Sequence, residues 1–594
     1  MTYIFRIIQI AFAYKKRLIL AYICTAGAVA SYVVLPMVFG DAIDEIVNNL
    51  DTGLVDYTHL YISVGIILGL SVIRGGLSFV QTYMAEALSQ DVSYDLRNRF
   101  YDHIQYQGFD FHDRYHTGNL MSRAITDIEN IRMFINMGLV RSTYFMSLFI
   151  IVAIILIKLN WQLGLIGIIF MPVVAIYTTQ IRLKMRRLYL IVQEKMAELS
   201  IVMNENFSGI KVVKAFGAQD YEKAKFNSKS SEVADVYIKA EQLRSSSLSF
   251  MLFTFLIAMG LVLFWGGRLA IQGHLTPGEL AQFIFYLQIL AMPVRMTGWV
   301  VNSYARAASA GERLFEILDS KSHVVEIEKP LIMSNPKGSV TFENITFAYQ
   351  DQLNILENFT LEVASGETIA LLGSPGSGKS TLMNLLPRFY DVHKGEIKID
   401  GINIKNFSLE SLRNNIGIVH QDVFLFTDTL KENIAYGLEN PDIEKIRTAA
   451  SLAMLDEFID SLEDGYDTYV GERGATLSGG QRQRMAIARV LLMDPPILIL
   501  DDSTSNVDSD TEDKIKEAMN SLMAGRTTFV IANRLSTLHK ADRILVMDQG
   551  QIIEQGSHEE LISKSGKYKD IYDLQLKPQN ELFRENDIDN GDWR

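Results

Sequence analysis

The residues that most clearly promise chemistry lie in Leu371–Thr381, LLGSPGSGKST, where Gly373, Gly378, Lys379 and Ser380 meet the spacing G-x-x-x-x-G-K-[ST]. The glycines Gly373, Gly376 and Gly378 let the backbone wrap closely, so the N–H groups along Ser374, Ser377 and their neighbours through Thr381 point at a phosphate. Lys379 would reach the β- and γ-phosphates of a nucleotide, and the Ser380 hydroxyl would ligate Mg²⁺.

Such a loop works only if a strand and a helix hold it. The alternating LEVASGETIA before it and LMNLLPRF after it supply both, and the helix starting near Lys379 adds N–H groups and the positive end of its dipole. Farther on, Ile497–Leu500 (ILIL) reads as a buried parallel strand ending in Asp501, where a carboxylate beside a phosphate loop holds Mg²⁺. Between them, Leu477–Gln481 (LSGGQ) opens the basic amphipathic helix RQRMAIARVLL. Its N-terminus offers backbone N–H groups and the Ser478 hydroxyl to an anion; by itself the pentapeptide is equally a capped surface helix. Tyr349 ends the strand pattern SVTFENITFAY and could stack on a purine, or be a plain strand aromatic.

With 594 residues the chain is too long for one core. Its mean hydropathy of +0.12 is high, and the apolar excess sits in the first half. A net charge of −13 without a basic aromatic patch excludes nucleic-acid binding. The single cysteine, Cys24, excludes a disulfide framework and reads as a buried filler.

The first half is expected to cross the membrane six times: 18–39, 57–79, 137–157, 163–180, 248–265 and 280–299. Residues 1–14 form a short amphipathic helix lying at the interface, with Ile4, Phe5, Ile8 and Phe12 on one side. Lys15, Lys16 and Arg17 before the first span, and acidic residues alone after it, put the N-terminus in the cytoplasm. The long inner segments 80–136 and 181–247 keep helical periodicity and should project into the cytoplasm as extensions of the spans. Arg74 and Arg295 lie near the inner ends of their spans, where helix direction favours snorkelling over lining a cavity. Pro36, Pro172 and Pro293 can kink their spans. Composition changes after Ser303, and a polar stretch with Pro330, Pro336 and Gly338 marks the boundary near 320–338.

Taken together these segments resemble one half of an ABC exporter over nearly the whole chain, the acidic tail from about Glu585 excepted. The resemblance implies an interfacial elbow (1–14), a six-helix all-α transmembrane domain with coupling helices (15–320), a linker (321–337), an α/β P-loop ATP-binding cassette with a helical subdomain (338–584) and the tail (585–594). It implies Tyr349 as adenine platform, and Gly373–Thr381 with Ser478, Gly479, Gly480 and Gln481 as nucleotide contacts. Mg²⁺ falls to Ser380, Gln421 and Asp501, Gln421 lying in the loop that touches the membrane domain. Glu472–Gly474, the segments Gly118–Arg123 with Asp127 and Gly209–Phe216 near the coupling helices, and Leu275–Leu280 match as well. Two cassettes then pair head to tail, each ATP lying between one phosphate loop and the other chain's signature, in a multi-pass protein of the plasma (bacterial inner) membrane.

Two positions depart from the family pattern. The glutamate expected after Asp501 is Asp502, one methylene shorter, and the switch histidine is Asn533; both act on the hydrolytic step together with Gln421. A carboxylate withdrawn by about 1.5 Å can cost about 10²-fold in rate. The reading this favours is a heterodimer: the chain binds ATP at a hydrolysis-impaired site, lends its signature to a different half-transporter, and exports an apolar or amphipathic small molecule. A homodimeric lipid or drug exporter with a slow ATPase is the alternative, as is an ATP-gated channel or regulatory subunit. Spans rich in Met, Phe, Leu and Ile suit an adaptable cavity, and equally suit contact with lipid.

Overall fold

The computed structural model describes residues 2–52, 57–349, 353–438, 441–501, 509–532 and 535–576. The chain forms two compact units, one of Met1–Gln105 and Gly118–Ser320, the other of Tyr106–Thr117 and Lys321–Arg594. In order, the helices up to Ser320 are α1 (Thr2–Phe12), α2 (Lys15–Thr52), α3 (Thr58–Gln105), α4 (Phe109–Arg114), α5 (Thr117–Leu159), α6 (Trp161–Ser208), α7 (Ile210–Ala215), α8 (Gln219–Ile271) and α9 (Pro277–Leu318). All but α4 belong to the first unit.

The ends of these helices are written locally. Asn160 caps α6 by accepting the Gln162 and Leu163 N–H groups, and Thr276 opens α9 with a capping box to Glu279 and Pro277 at the first turn. The Asp44 carboxylate accepts from the Thr276 hydroxyl (2.6 Å) and the Gly278 N–H (2.7 Å), fixing α2 to the start of α9. Between lipid-embedded helices there is little hydrophobic force, so close packing must hold the bundle. Small residues provide it. A Cβ on Gly278 would come within 2.1 Å of the Gly40 carbonyl, one on Gly27 within 2.8 Å of Leu77, and one on Gly167 within 2.8 Å of Leu287. Val29, Val33, Leu148, Val152, Leu163, Val262, Phe283 and Leu290 fill the core, and the Tyr286 hydroxyl donates to the Val33 carbonyl at 2.7 Å.

Among the described residues five helices are long and apolar enough to cross a membrane: Lys15–Leu50, Thr58–Gln105, Thr117–Leu159, Gln219–Ile271 and Pro277–Leu318. The fourth expected span lies in α6, where the sequence from Leu163 to Gln180 carries no charged residue. At about 1.5 Å per residue α6 is about 72 Å long and α8 about 80 Å, far beyond the ~30 Å of hydrocarbon. Their polar ends are tied by Lys195–Glu232 (2.9 Å) and Lys229–Glu198 (2.7 Å). α1 packs by one side, which takes in Ile4, and leaves Phe5 and Phe12 of the expected interfacial side open. Ile4, Ile7 and Ala11 are buried, and Tyr3 and Ile7 pack beside Gly311 of α9. In α5 two π-helical turns, Arg123–Asp127 and Phe134–Arg141, loosen the helix; buried Asp127 leaves the first to pair with Arg313 of α9.

The second unit carries β1 (Val340–Phe347), β2 (Leu356–Val363), β3 (Thr368–Gly373), β4 (Lys394–Ile399), β5 (Ile402–Asn403), β6 (Ile416–Val419), β7 (Ile497–Asp501), β8 (Thr527–Ile531), β9 (Arg543–Asp548) and β10 (Gln551–Gly556). A four-stranded antiparallel sheet runs β2-β1-β4-β5, and a six-stranded sheet runs β10-β9-β3-β8-β7-β6 with β9, β3, β8, β7 and β6 parallel. Strands buried on both faces are continuous apolar runs, as in β7, and β8 is buried throughout although it begins with Thr527 and Thr528. Helices α10 (Lys379–Leu385), α11 (Gly479–Met493) and α12 (Ser509–Met523) pack on this sheet or beside it. A separate helical core joins Leu430, Ile446, Ala450, Ile459, Met485 and Ile487 around α11, giving the α/β fold its helical subdomain.

Candidate nucleotide-binding site

The strand order decides what meets. With β3, β8, β7 and β6 adjacent and parallel, their C-terminal ends bring the glycine loop after β3, Ala532 after β8, Asp501 of β7 and Gln421 just past β6 to one edge of the sheet. Ligands bind there in open α/β sheets.

The loop is built around its lysine. Lys379 Nζ donates to the Gly373 carbonyl (2.8 Å) and the Ser374 carbonyl (3.0 Å) and lies 3.3 Å from Ser377 Oγ. Burial pushes the Lys379 ammonium down from its ordinary pKa, and the nearby Asp501 carboxylate opposes that shift. Gly373 is required by close approach, because a Cβ there would stand 2.2 Å from the Met547 carbonyl. Gly378 has φ +99°, a left-handed conformation that L side chains rarely adopt. Ser377 and Thr381 are buried supports, whereas Ser374, Gly376 and Ser380 are open to a ligand.

Ser380 offers a hydroxyl, Asp501 a carboxylate and Gln421 an amide oxygen. This all-oxygen set fits Mg²⁺, which takes one or two protein oxygens and fills its shell with water and phosphate. Tyr349 stands half-buried, 4.9 Å from the Phe347 ring and 5.0 Å from the Tyr390 ring, each nearly perpendicular to it. In the signature, Ser478 caps α11: its hydroxyl accepts the Gln481 N–H (3.2 Å), and Gln481 Oε1 accepts the Ser478 N–H (2.8 Å). Gln481 thus closes a capping box, Ser478 and Gly479 remain exposed, and Gly480 is buried. Asp502 and Asn533, with the rest of DDSTSNVD beyond Asp501, lie outside the described residues. Sequence reasoning passed over Tyr390, which follows the helix LMNLLPRF, and Asp113 of α4; the aromatic pair Phe389-Tyr390 was the available signal.

In the membrane unit, α6, α8 and α9 enclose a cavity of about 190 Å³ lined by Phe170, Val174, Met251, Phe255, Leu287 and Leu290. Arg74 has an aromatic partner. Its guanidinium carbon lies 3.4 Å from the centre of the Tyr32 ring of α2, with Tyr144 of α5 beside both. The Arg295 side chain lies outside the described residues.

A bundle of membrane-crossing helices fused to a P-loop sheet that carries a helical subdomain defines a transporter driven by ATP. The chain belongs to the ABC transporter family: residues 18–294 match the ABC transporter transmembrane region and residues 356–505 the ABC transporter model. It is a multi-pass inner-membrane protein with ATPase and translocase activity. It is 37% identical over 565 residues to an uncharacterized ABC transporter ATP-binding protein, YknU, of Bacillus subtilis (strain 168), covering 95% of this chain and 96% of the relative. An ATP-dependent lipid A-core flippase of Syntrophus aciditrophicus (strain SB) is 36% identical over 577 residues, 96% of this chain and 94% of that one. YgaD of B. subtilis (strain 168), provisionally a multidrug export ATP-binding/permease protein, is 36% identical over 572 residues, 96% of this chain and 99% of that one.

Proposed function

We propose that the chain is an ATP-driven exporter of apolar or amphipathic small molecules in which two identical copies pair. The observation that carries this reading is end-to-end similarity to relatives named for lipid A-core flipping and multidrug export, each a single chain with both a membrane unit and a cassette. Phosphate loop and signature are both intact here, so two copies supply one of each to both head-to-tail sites. This is the alternative of the sequence analysis, and the relatives support it better than the heterodimer.

In this reading the bundle has six crossings, α6 supplying the fourth, with boundaries as in the sequence analysis. Tyr349 stacks on adenine. The loop from Gly373 to Thr381 wraps the phosphates, and Lys379 exchanges its carbonyl partners for phosphate oxygens. Ser380, Asp501 and Gln421 hold Mg²⁺, which neutralises charge between the outer phosphates. Ser478, Gly479 and Gly480 of the second copy face the γ-phosphate. Closure of the cassettes then turns the cavity from the cytoplasmic to the outer side. Arg74 gives the apolar bundle one polar contact, suited to the headgroup of an amphiphile.

A second reading rests on Asp502 and Asn533: pairing with a different half-transporter that has the usual glutamate and histidine, this chain's own site being slow. ATP hydrolysis by the chain purified alone in lipid tests the choice. Substantial turnover with ATP-dependent accumulation of a fluorescent amphiphile in inverted vesicles supports the homodimer. Turnover only after adding a candidate partner supports the heterodimer, and turnover without accumulation overturns the exporter.

A further inference from the structure

The short helix α4 and the turn that ends α10 share one side chain. Phe109, the first residue of α4, stacks on Phe389 with ring centres 4.2 Å apart and planes at 30°, and lies 6.2 Å from the Tyr390 ring. The Tyr390 hydroxyl donates to Asp113 Oδ2 of α4 at 2.7 Å. On its other side the same Tyr390 ring meets Tyr349 edge-on at 5.0 Å and lies 5.7 Å from Phe347 at the end of β1. Tyr390 therefore touches both the aromatic offered to adenine and the helix contributed by the long inner segment between α3 and α5.

The turn that presents Tyr390 is held firmly. Arg388, 2% exposed and in a left-handed conformation (φ +53°), pairs with Asp391 (2.8 Å) and donates to the Val325 carbonyl (2.9 Å). Arg413 lies 5.5 Å over the Phe389 ring. Burial, with Asp113 adding to it, keeps the Tyr390 phenol protonated well above its ordinary range, so the hydroxyl remains a donor to a carboxylate at neutral pH. A mere packing aromatic here would need no hydroxyl, and phenylalanine, which fills the preceding position, would serve. The cavity of about 360 Å³ beside this cluster, lined by Asp110, Asp113, Tyr349, Tyr390 and His393, leaves the Tyr349 ring room to move.

We propose that Tyr390 is a positioning residue that ties the orientation of the Tyr349 ring to the seating of α4 through Asp113, so that occupation of the adenine site is felt at α4. The inference rests on the reading of Tyr349 as adenine platform. Its chemistry is one hydrogen bond and two aromatic edges, with no covalent step.

The test is amide hydrogen exchange of the peptide spanning 106–117 in the full chain in nanodiscs, with and without saturating ATP and Mg²⁺. TNP-ATP affinity is measured alongside. In the unaltered protein ATP slows exchange of this peptide. Tyr390→Phe keeps both aromatic edges and removes the hydroxyl; it should leave TNP-ATP affinity within about threefold while abolishing the ATP-dependent slowing. Asp113→Ala removes the same bond from the other side and should match it, whereas Asp113→Glu should retain part of the response. Tyr349→Ala should weaken TNP-ATP by about tenfold, the loss of one stacking surface. If Tyr349→Ala leaves affinity unchanged, the platform reading fails and the coupling with it. If Tyr349→Ala weakens binding but Tyr390→Phe and Asp113→Ala keep the full response, the coupling alone is overturned.

Discussion

The Arg74 guanidinium carbon lies over the Tyr32 ring, 3.4 Å from its centre, between two helices long and apolar enough to cross a membrane. A cation there is costly unless it meets an aromatic face, a dipole or an anionic ligand. Arg74→Ala should cut efflux of an anionic amphiphilic dye by about tenfold and change that of a neutral analogue less than about twofold. Arg74→Lys keeps charge but loses the planar stack and should fall between. Parallel losses for both dyes in proteoliposomes would mean that Arg74 serves packing alone.

Lys379 now spends its donors on the Gly373 and Ser374 carbonyls. Lys379→Ala should lower ATP turnover by about 10²-fold or more, since a charge aimed at the phosphates is lost. Gly378→Ala leaves that charge in place but forces a side chain into φ +99°, and a Cβ would come within 3.0 Å of Leu356. Its effect should appear mainly as weaker nucleotide binding, measured by TNP-ATP titration.

Asp502 and Asn533 separate the two assembly readings. In a chain assayed alone, Asp502→Glu is expected to raise ATP turnover only a few fold while Asn533 remains, and Asp502→Glu with Asn533→His by about 10²-fold. A large gain from the single change would show that the carboxylate alone limits the rate.

His558 supplies a pH dependence. It hydrogen-bonds Tyr568 (2.5 Å) and lies 4.0 Å from the His539 ring. Burial, reinforced by His539, lowers its pKa from the ordinary 6.5. The folded protein thus prefers neutral His558, and below about pH 6.5 the unfolded chain binds the extra proton. This contribution is fully present above that pH and is lost as pH falls toward the folded pKa. In thermal melts of the full chain from pH 7.5 to 5, His558→Gln should flatten the decline in Tm. An unchanged slope would assign the decline to other groups.

What could be read in the sequence was local. The loop from Gly373 to Ser380, the end of β7 at Asp501 and the cap at Ser478 are contiguous patterns, and the structure puts each on the expected element. The sheet order that brings β6, β7, β8 and β3 together is not local and could not be read from the patterns. Tyr390 and Asp113 were missed because 277 residues separate them. The partner of Arg74 could not be read because one helix gives direction but not the neighbour, and Tyr32 is on another. In α1 seven of the eleven residues are Ile, Phe or Ala, so more than one apolar side exists, and Tyr3 and Arg6, which meet Phe315 and Asp319, decide which one packs.

The chain enters the second unit at Tyr106, leaves it at Thr117 and returns at Lys321. The cassette is therefore not a bead on one string. A protease nick in the polar stretch after Ser320 severs one of three covalent passages between the units; Phe109 and Asp113 then stay with the N-terminal fragment, while Phe389 and Tyr390, which they grip, go with the C-terminal one. Split at that point and co-expressed, the two pieces have a ready means of finding each other, and the gene could be cut there in two without dissolving the machine.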